Sequence, residues 1–278
     1  MKMRQGLEIS ERRACGLIEV ARTTVQRVLS ESGENAALKV RLIDLAHARR
    51  RFGYRRLHDL LRREGVSANH KRIYRLYREA GLSVRKRRRR KSVMVDRQVL
   101  SASIGPNEVW SIDFVMDALA NGRRIKCLTV VDDFTRECLA IAVDFGMGGA
   151  YVAAVLDRIG QSYGLPKAIR TDQGPEFTSR ALDSWAYRQA VDLKLIAAGK
   201  PTQNAYIESF NGKFRDECLN DHYFSNLTHA RAVITAWRKD YNETRPHSSI
   251  GRIPPAQFAL RHRLRTGNDE TKGDRLIL

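Results

Sequence analysis

VWSIDFVMDALANGRRIKCLTVVDDFTRECLAIAVD, residues 109–144, reads as three strands and two turns. VWSIDFV, RIKCLTVVDDF and ECLAIAVD are short apolar or alternating runs, and ANGRR and DDFTR supply the Asn, Gly and Asp that tight turns favour. The segment is therefore expected to form an antiparallel meander. Downstream the period changes. Residues 149–163 fit a helix, KAIRTD (167–172) a strand, SRALDSWAYRQA (179–190) a helix, DLKLIAA (192–198) a strand, and KPTQNAYIESFNGKFRDECLN (200–220) a further helix. Three hairpin-linked strands followed by alternating helix and strand describe an α/β fold: a mixed five-stranded sheet with crossovers and flanking helices. AWRKDYNETRPHSSIG (236–251) closes that core, and residues 263–278 read as a polar tail.

Upstream of the meander the pattern is all-helical. Residues 10–32, within a first segment 1–34, fit two short helices about a turn, either a helix-turn-helix or an ordinary helical pair. Residues 35–83 fit three helices. Leu38, Ile43 and Leu45 mark the first, and Leu57, Leu60 and Leu61 mark the second, which Gly65 ends. The third, capped by Ser67 or Asn69, has Ile73, Leu76, Tyr77 and Ala80 at helical spacing and carries Lys71, Arg72, Arg75 and Arg78 on its other faces. Such a helix buries one face and offers a basic surface to a groove or phosphate backbone. Arg85, Lys86, Arg87, Arg88, Arg89, Arg90 and Lys91 follow without interruption, in a linker placed at 84–103 ahead of a core at 104–262. Mutual repulsion keeps such a run extended until phosphates neutralise it, and it gives affinity without sequence choice.

The charge distribution points the same way. Of a net +19 over 278 residues, the first 100 hold 27 Lys/Arg against 10 Asp/Glu, and the rest hold 23 against 21. One region is built to grip a polyanion while the other does something else. There is no spanning apolar run and no amino-terminal signal, so nucleic acid in the cytosol is the expected partner rather than a membrane. Cys15, Cys127, Cys138 and Cys218 form no CxxC pair or metal-ligand spacing and are expected to be reduced structural thiols. No repeat of fixed period is present.

Three acids stand out in the core. Asp113 interrupts a strand interior, where Asp is disfavoured and an unpaired carboxylate is costly. Asp172 ends a strand just before Gly174 and Pro175, at the carboxyl-terminal sheet edge where α/β proteins place ligands. On an ideal helix Glu208 shares a face with Asn204, Asn211, Gly212 and Arg215, away from Tyr206, Phe210 and Phe214. Each has a structural reading of its own, as edge residue, turn former or solvated helix residue. Together they supply the hard oxygen ligands of a divalent-metal site for phosphoryl transfer. Asp117, Asp132, Asp133 and Glu176 rank below them: Asp132 and Asp133 stand where a hairpin turn wants Asp, and Glu176 is close enough to Asp172 to support it.

WSIDF, RTDQGPEF, GKPTQNAYIESFNGKFRDECLN and DYNETRPHSSIG resemble the integrase core of bacterial insertion-sequence transposases in the retroviral-integrase superfamily, most closely the OrfB type made from a second reading frame. Thirty-five residues separate Asp172 from Glu208, as in the Asp, Asp, thirty-five, Glu pattern of that superfamily. With FGYRRLHDLLRREG and NHKRIYRLYREAGL upstream, the likeness covers residues 10–260. The resemblance implies an RNase H-like core in which Asp113, Asp172 and Glu208 bind Mg²⁺ or Mn²⁺, as two ions. It implies hydrolysis at an element end followed by attack of the freed 3′-hydroxyl on target DNA. It further implies a homo-oligomer on DNA, bacterial nucleoid association when bound, and an upstream-frame product as fusion or partner. Asn204, Asn211, Lys213 and Arg215, with Lys71, Arg72, Arg75 and the basic run, are the expected DNA contacts. Gln203 stands where relatives often carry Asp. The alternatives are a nuclease of the same fold that stops after hydrolysis, and a DNA-binding regulator on an inactive scaffold.

Overall fold

The computed structural model describes residues 10–23, 33–84, 103–196 and 204–263. The basic run 85–91, the second half of the expected amino-terminal helical pair, Gln203 and the tail beyond 263 lie outside the described residues. The chain divides into two compact units, Met1–Arg88 and Arg89–Leu278.

In the first unit, α1 (Glu11–Leu17) starts at Ser10, whose hydroxyl accepts from the Arg13 N–H at 3.3 Å. Three longer helices follow: α2 (Gly33–Ala48), α3 (Tyr54–Arg63) and α4 (His70–Glu79). Their common core joins Leu38, Leu42 and Leu45 to Phe52, Leu57, Leu60, Leu61, Ile73, Leu76 and Tyr77. The inward stripe of α2 therefore runs through Leu42, not Ile43, because positions four and seven after Leu38 share its face. Asn69 is the cap of α4, its side-chain oxygen accepting from the Lys71 N–H at 2.9 Å. The turn after α3 needs the left-handed backbone of Gly65, at φ +87°.

The second unit is built on a five-stranded sheet in the order β3-β2-β1-β4-β5. β1 (Val109–Ala118), β2 (Arg124–Asp132) and β3 (Cys138–Asp144) form the antiparallel meander. After α5 (Gly149–Tyr163), β4 (Ala168–Thr171) joins β1 in parallel, and after α6 (Arg180–Arg188), β5 (Asp192–Leu195) joins β4 in parallel. α7 (Ala205–Glu217) and α8 (Leu227–Glu243) complete the unit.

Strand alternation sorts the sheet into two faces. Trp110, Ile112, Leu128, Val130 and Ile169 pack with α5 and α6 residues such as Leu156, Leu182 and Trp185. Val115, Cys127, Val131 and Val143 pack with Ile207, Phe210 and Phe214 of α7 and Ile234 and Tyr241 of α8. Asp113 has the parity of Val115, so its carboxylate lies on the α7 side. Beyond α8, Arg245, only 2% exposed, donates to both Glu217 oxygens at 2.8 and 2.6 Å and fixes the end of α7. All four cysteines are buried and unbridged. No helix among the described residues is long and apolar enough to cross a membrane.

Candidate active site

The register of the parallel pair positions the first two acids. Val109, Trp110 and Ser111 lie opposite Ala168, Ile169 and Arg170. Continued two residues past the last paired positions, that register brings Asp113 of β1 and Asp172, next after β4, level and onto one face, and the charge of Asp172 acts on Asp113. Asp172 lies just past the end of β4, exposed, with one oxygen accepting from the Gly174 N–H at 3.0 Å. Asp113 is half-buried within β1.

The third acid comes from α7, which packs across β1 and β2. Asn211, one turn beyond Glu208, donates from its amide nitrogen to Asp113 Oδ2 at 2.8 Å and accepts from the Thr129 hydroxyl at 2.9 Å. Thr129 is the partner of Asp113 in the antiparallel pair. One amide thus ties the helix carrying Glu208 to the carboxylate of β1 and to the neighbouring strand. Phe210 and Phe214, fully buried beneath, hold the opposite side of α7 on the sheet, while Glu208 is exposed.

Burial pushes the Asp113 carboxyl up to about 6; the negative charges of Asp172 and Glu208 add to the rise, and hydrogen bonds from the Phe114 N–H and Asn211 oppose it. Partial burial also raises Glu208. Among the described residues, no cation is one of the groups that shift Asp113. Among the described residues no three His, Cys, Asp or Glu are drawn together tightly enough to hold a metal ion as they stand. The donor set nevertheless suits a hard divalent cation: three carboxylates, two of them exposed, that raise the charge cost of the buried one.

This electrostatic cost gives a stability prediction. The folded-state pKa of Asp113 lies above the ordinary 3.8, so its ionisation disfavours the fold fully above about pH 6 and not at all below about pH 4. In EDTA at pH 7.5, Asp113→Asn should stabilise the protein by about 3 kcal/mol. The gain should vanish near pH 4. The amide fits because Asn211 can reverse its own amide, with Thr129 then accepting. A melting comparison at the two pH values checks this, and an unchanged or lowered midpoint at pH 7.5 contradicts it.

The other expected contact residues divide. Asn211 is half-buried, with both ends of its amide engaged inside the protein by Asp113 and Thr129. Asn204, at the start of α7, is 6% exposed and likewise turned inward. Lys213 donates to the carbonyl and hydroxyl of Ser209, and Arg215 reaches the Met116 carbonyl at 3.4 Å. On α4, Lys71 and Arg75 are exposed, whereas Arg72 donates to Asn35 at 2.8 Å and pairs with Glu34, bracing α4 against α2.

Sequence reasoning missed a buried network beside the triad. Arg170 donates to Asp133 at 2.6 Å, and Ser111 donates to the other oxygen of Asp133, also at 2.6 Å. Asp132 behaves as a turn former, accepting from Phe134 and Thr135, but Asp133 is 2% exposed. Burial pushes Asp133 up to about 6, against Ser111 and Arg170. The available signal was Arg170 itself, a charge inside the fully buried strand AIRT, which demands a buried partner.

Comparison with known proteins bears on the family and the fold. Integrase core domain models match residues 104–201 and 189–255, and an HTH-like domain model matches 33–91, downstream of the helical pair read at 10–32. A 31.7 kDa protein of insertion element IS407 from Burkholderia multivorans is 65% identical over 94% of each chain. A 39.2 kDa protein of insertion element IS476 from Xanthomonas euvesicatoria is 58% identical over 96% of this chain and 78% of its own. A transposase for insertion sequence element IS904 from Lactococcus lactis is 27% identical over 75% of this chain and 87% of its own. In fold, a chain of the simian T-cell lymphotropic virus intasome solved with PP2A regulatory subunit B56 gamma superposes with a TM-score of 0.53 at 15% identity, covering 69% of this chain and 67% of that one. With its RNase H-like sheet, its helical amino-terminal unit and these relatives, the chain belongs to the integrase-core transposase family of bacterial insertion sequences, of the OrfB type.

Proposed function

We propose that the protein cleaves and joins DNA strands at the ends of an insertion sequence, with Asp113, Asp172 and Glu208 holding divalent metal, Mg²⁺ or Mn²⁺. The observation that carries this reading is the β1–β4 register, which sets Asp113 level with Asp172, together with the Asn211 amide that ties the helix of Glu208 to Asp113. Two bound ions supply activation of an attacking oxygen and stabilisation of a leaving one. The chain's own residues supply position: β1 and β4 fix two carboxylates, and α7 brings the third. No serine, tyrosine or cysteine nucleophile is required, and the cysteines are buried.

DNA is gripped by Lys71 and Arg75 of the amino-terminal unit and by the basic run 85–91, and the protein works as an oligomer on DNA, alone or with an upstream-frame product. The domain boundaries read from the sequence assign gripping to 35–103 and chemistry to 104–262. Replacing residues 87–90 with Ser should weaken binding to every DNA sequence alike and lower the slope of log affinity against log salt by about 3 to 4. A loss confined to one sequence contradicts this.

The test of the proposal is a labelled duplex carrying the element's terminal sequence, incubated with the protein and Mg²⁺ or Mn²⁺. Cleavage at the 3′ end and products joined to a second DNA are expected. Hydrolysis without joining reduces the reading to a nuclease, and no metal-dependent product overturns it.

A further inference from the structure

Glu176, set aside as a ligand, has a defined place in the loop after β4, paired with a lysine whose strand parity is opposite to that of Asp113. Its carboxylate is ion-paired with Lys126 of β2, in a contact only 14% exposed on the lysine side and 24% on the glutamate side. The Lys126 ammonium also lies 3.8 Å from the centre of the Phe114 ring, and that ring stacks on Phe177 at 4.8 Å with planes 19° apart. Phe114 is the residue next to Asp113 in β1, and Phe177 follows Glu176. The loop after β4 is therefore drawn across β1 to β2 by one ion pair and one stacked pair. Between Asp172 and Glu176 there is little slack: a Cβ on Gly174 would stand 3.1 Å from an Asp172 oxygen and 3.4 Å from a Glu176 oxygen.

We infer that Lys126 and Glu176 form a positioning clamp that sets the Asp172 carboxylate at the height of Asp113 and keeps Glu176 itself out of the metal-binding set. The lysine does both. It holds the loop, and it neutralises a fourth acid that would otherwise add its charge beside Asp172. Lys126 holds the Glu176 carboxyl below its ordinary range, so the pair stays charged at neutral pH. A half-buried ion pair that loses one partner leaves the other uncompensated, so the two residues act as a unit.

The inference rests on the metal-binding reading of the triad, and the test separates the two. Mn²⁺ affinity of the full chain is measured by titration calorimetry, with the melting midpoint recorded in EDTA, for Lys126→Met, Glu176→Gln, the double exchange Lys126→Glu/Glu176→Lys, and Asp172→Asn. Each single clamp variant should weaken Mn²⁺ binding by about 10-fold. The double exchange should return it to within about 3-fold of the parent, since it restores the ion pair with its sign reversed. Asp172→Asn should abolish binding. Unchanged Mn²⁺ affinity in Lys126→Met, or a double exchange that recovers the melting midpoint without recovering the affinity, makes the pair merely structural and overturns the clamp. Unchanged affinity in Asp172→Asn removes the metal reading, and the clamp falls with it.

Discussion

Asp172→Asn and Glu208→Gln proteins should retard DNA in a gel as the parent does and yet cleave and join it ~10³-fold more slowly or worse. Each change keeps the shape of the side chain and removes its charge, and a neutral amide is a poor ligand for a hard cation. Both residues are exposed. The fold should therefore be untouched, and the loss belongs to chemistry. Asp113→Asn should lose the same activity while gaining stability, a combination that a residue of purely architectural value does not give. Retention of cleavage within 10-fold in either exposed variant would remove that residue from the site.

Phe210→Ala should cost about 3–5 kcal/mol, the range for deleting a buried aromatic ring. Phe210 is 1% exposed, and its ring meets Tyr241 edge-on at 4.9 Å and Trp237 at 5.7 Å, with Phe214 stacked 6.4 Å away. That cluster presses α7 onto the sheet two residues from Glu208. Urea unfolding followed by circular dichroism measures the loss. A change under about 1 kcal/mol would show that α7 is held by its polar tie alone.

Much of this was legible in the sequence because it is local. Alternation in residues 109–144 marks the strands and the odd acid among them, and helical spacing in 200–220 separates Glu208 from Phe210 and Phe214. What was not legible depends on register between distant segments. Nothing in KAIRTD says which strand it will join, so the level placement of Asp172 and Asp113 could not be read. Asn211 was grouped with DNA contacts because its face is that of Glu208; only the helix's approach to Thr129 shows that this face meets the sheet at one end. Asp133 looked like a turn residue because its partner Arg170 is 37 positions away. Lys126 and Glu176, 50 positions apart, gave no hint of each other.

The parallel alignment of β1 with β4 also governs how the gene can change. The 58 residues between Asp113 and Asp172 include turns and a crossover helix whose lengths are free to vary, since neither end of the alignment depends on them. The five positions 109–113 and the five positions 168–172 have no such freedom. One residue gained or lost inside either would send a carboxylate through to the far side of the sheet, against the packed rings of Phe114 and Phe177. Length variation in this part of the molecule is thus confined to the turns and the crossover helix and forbidden in two short words of five letters.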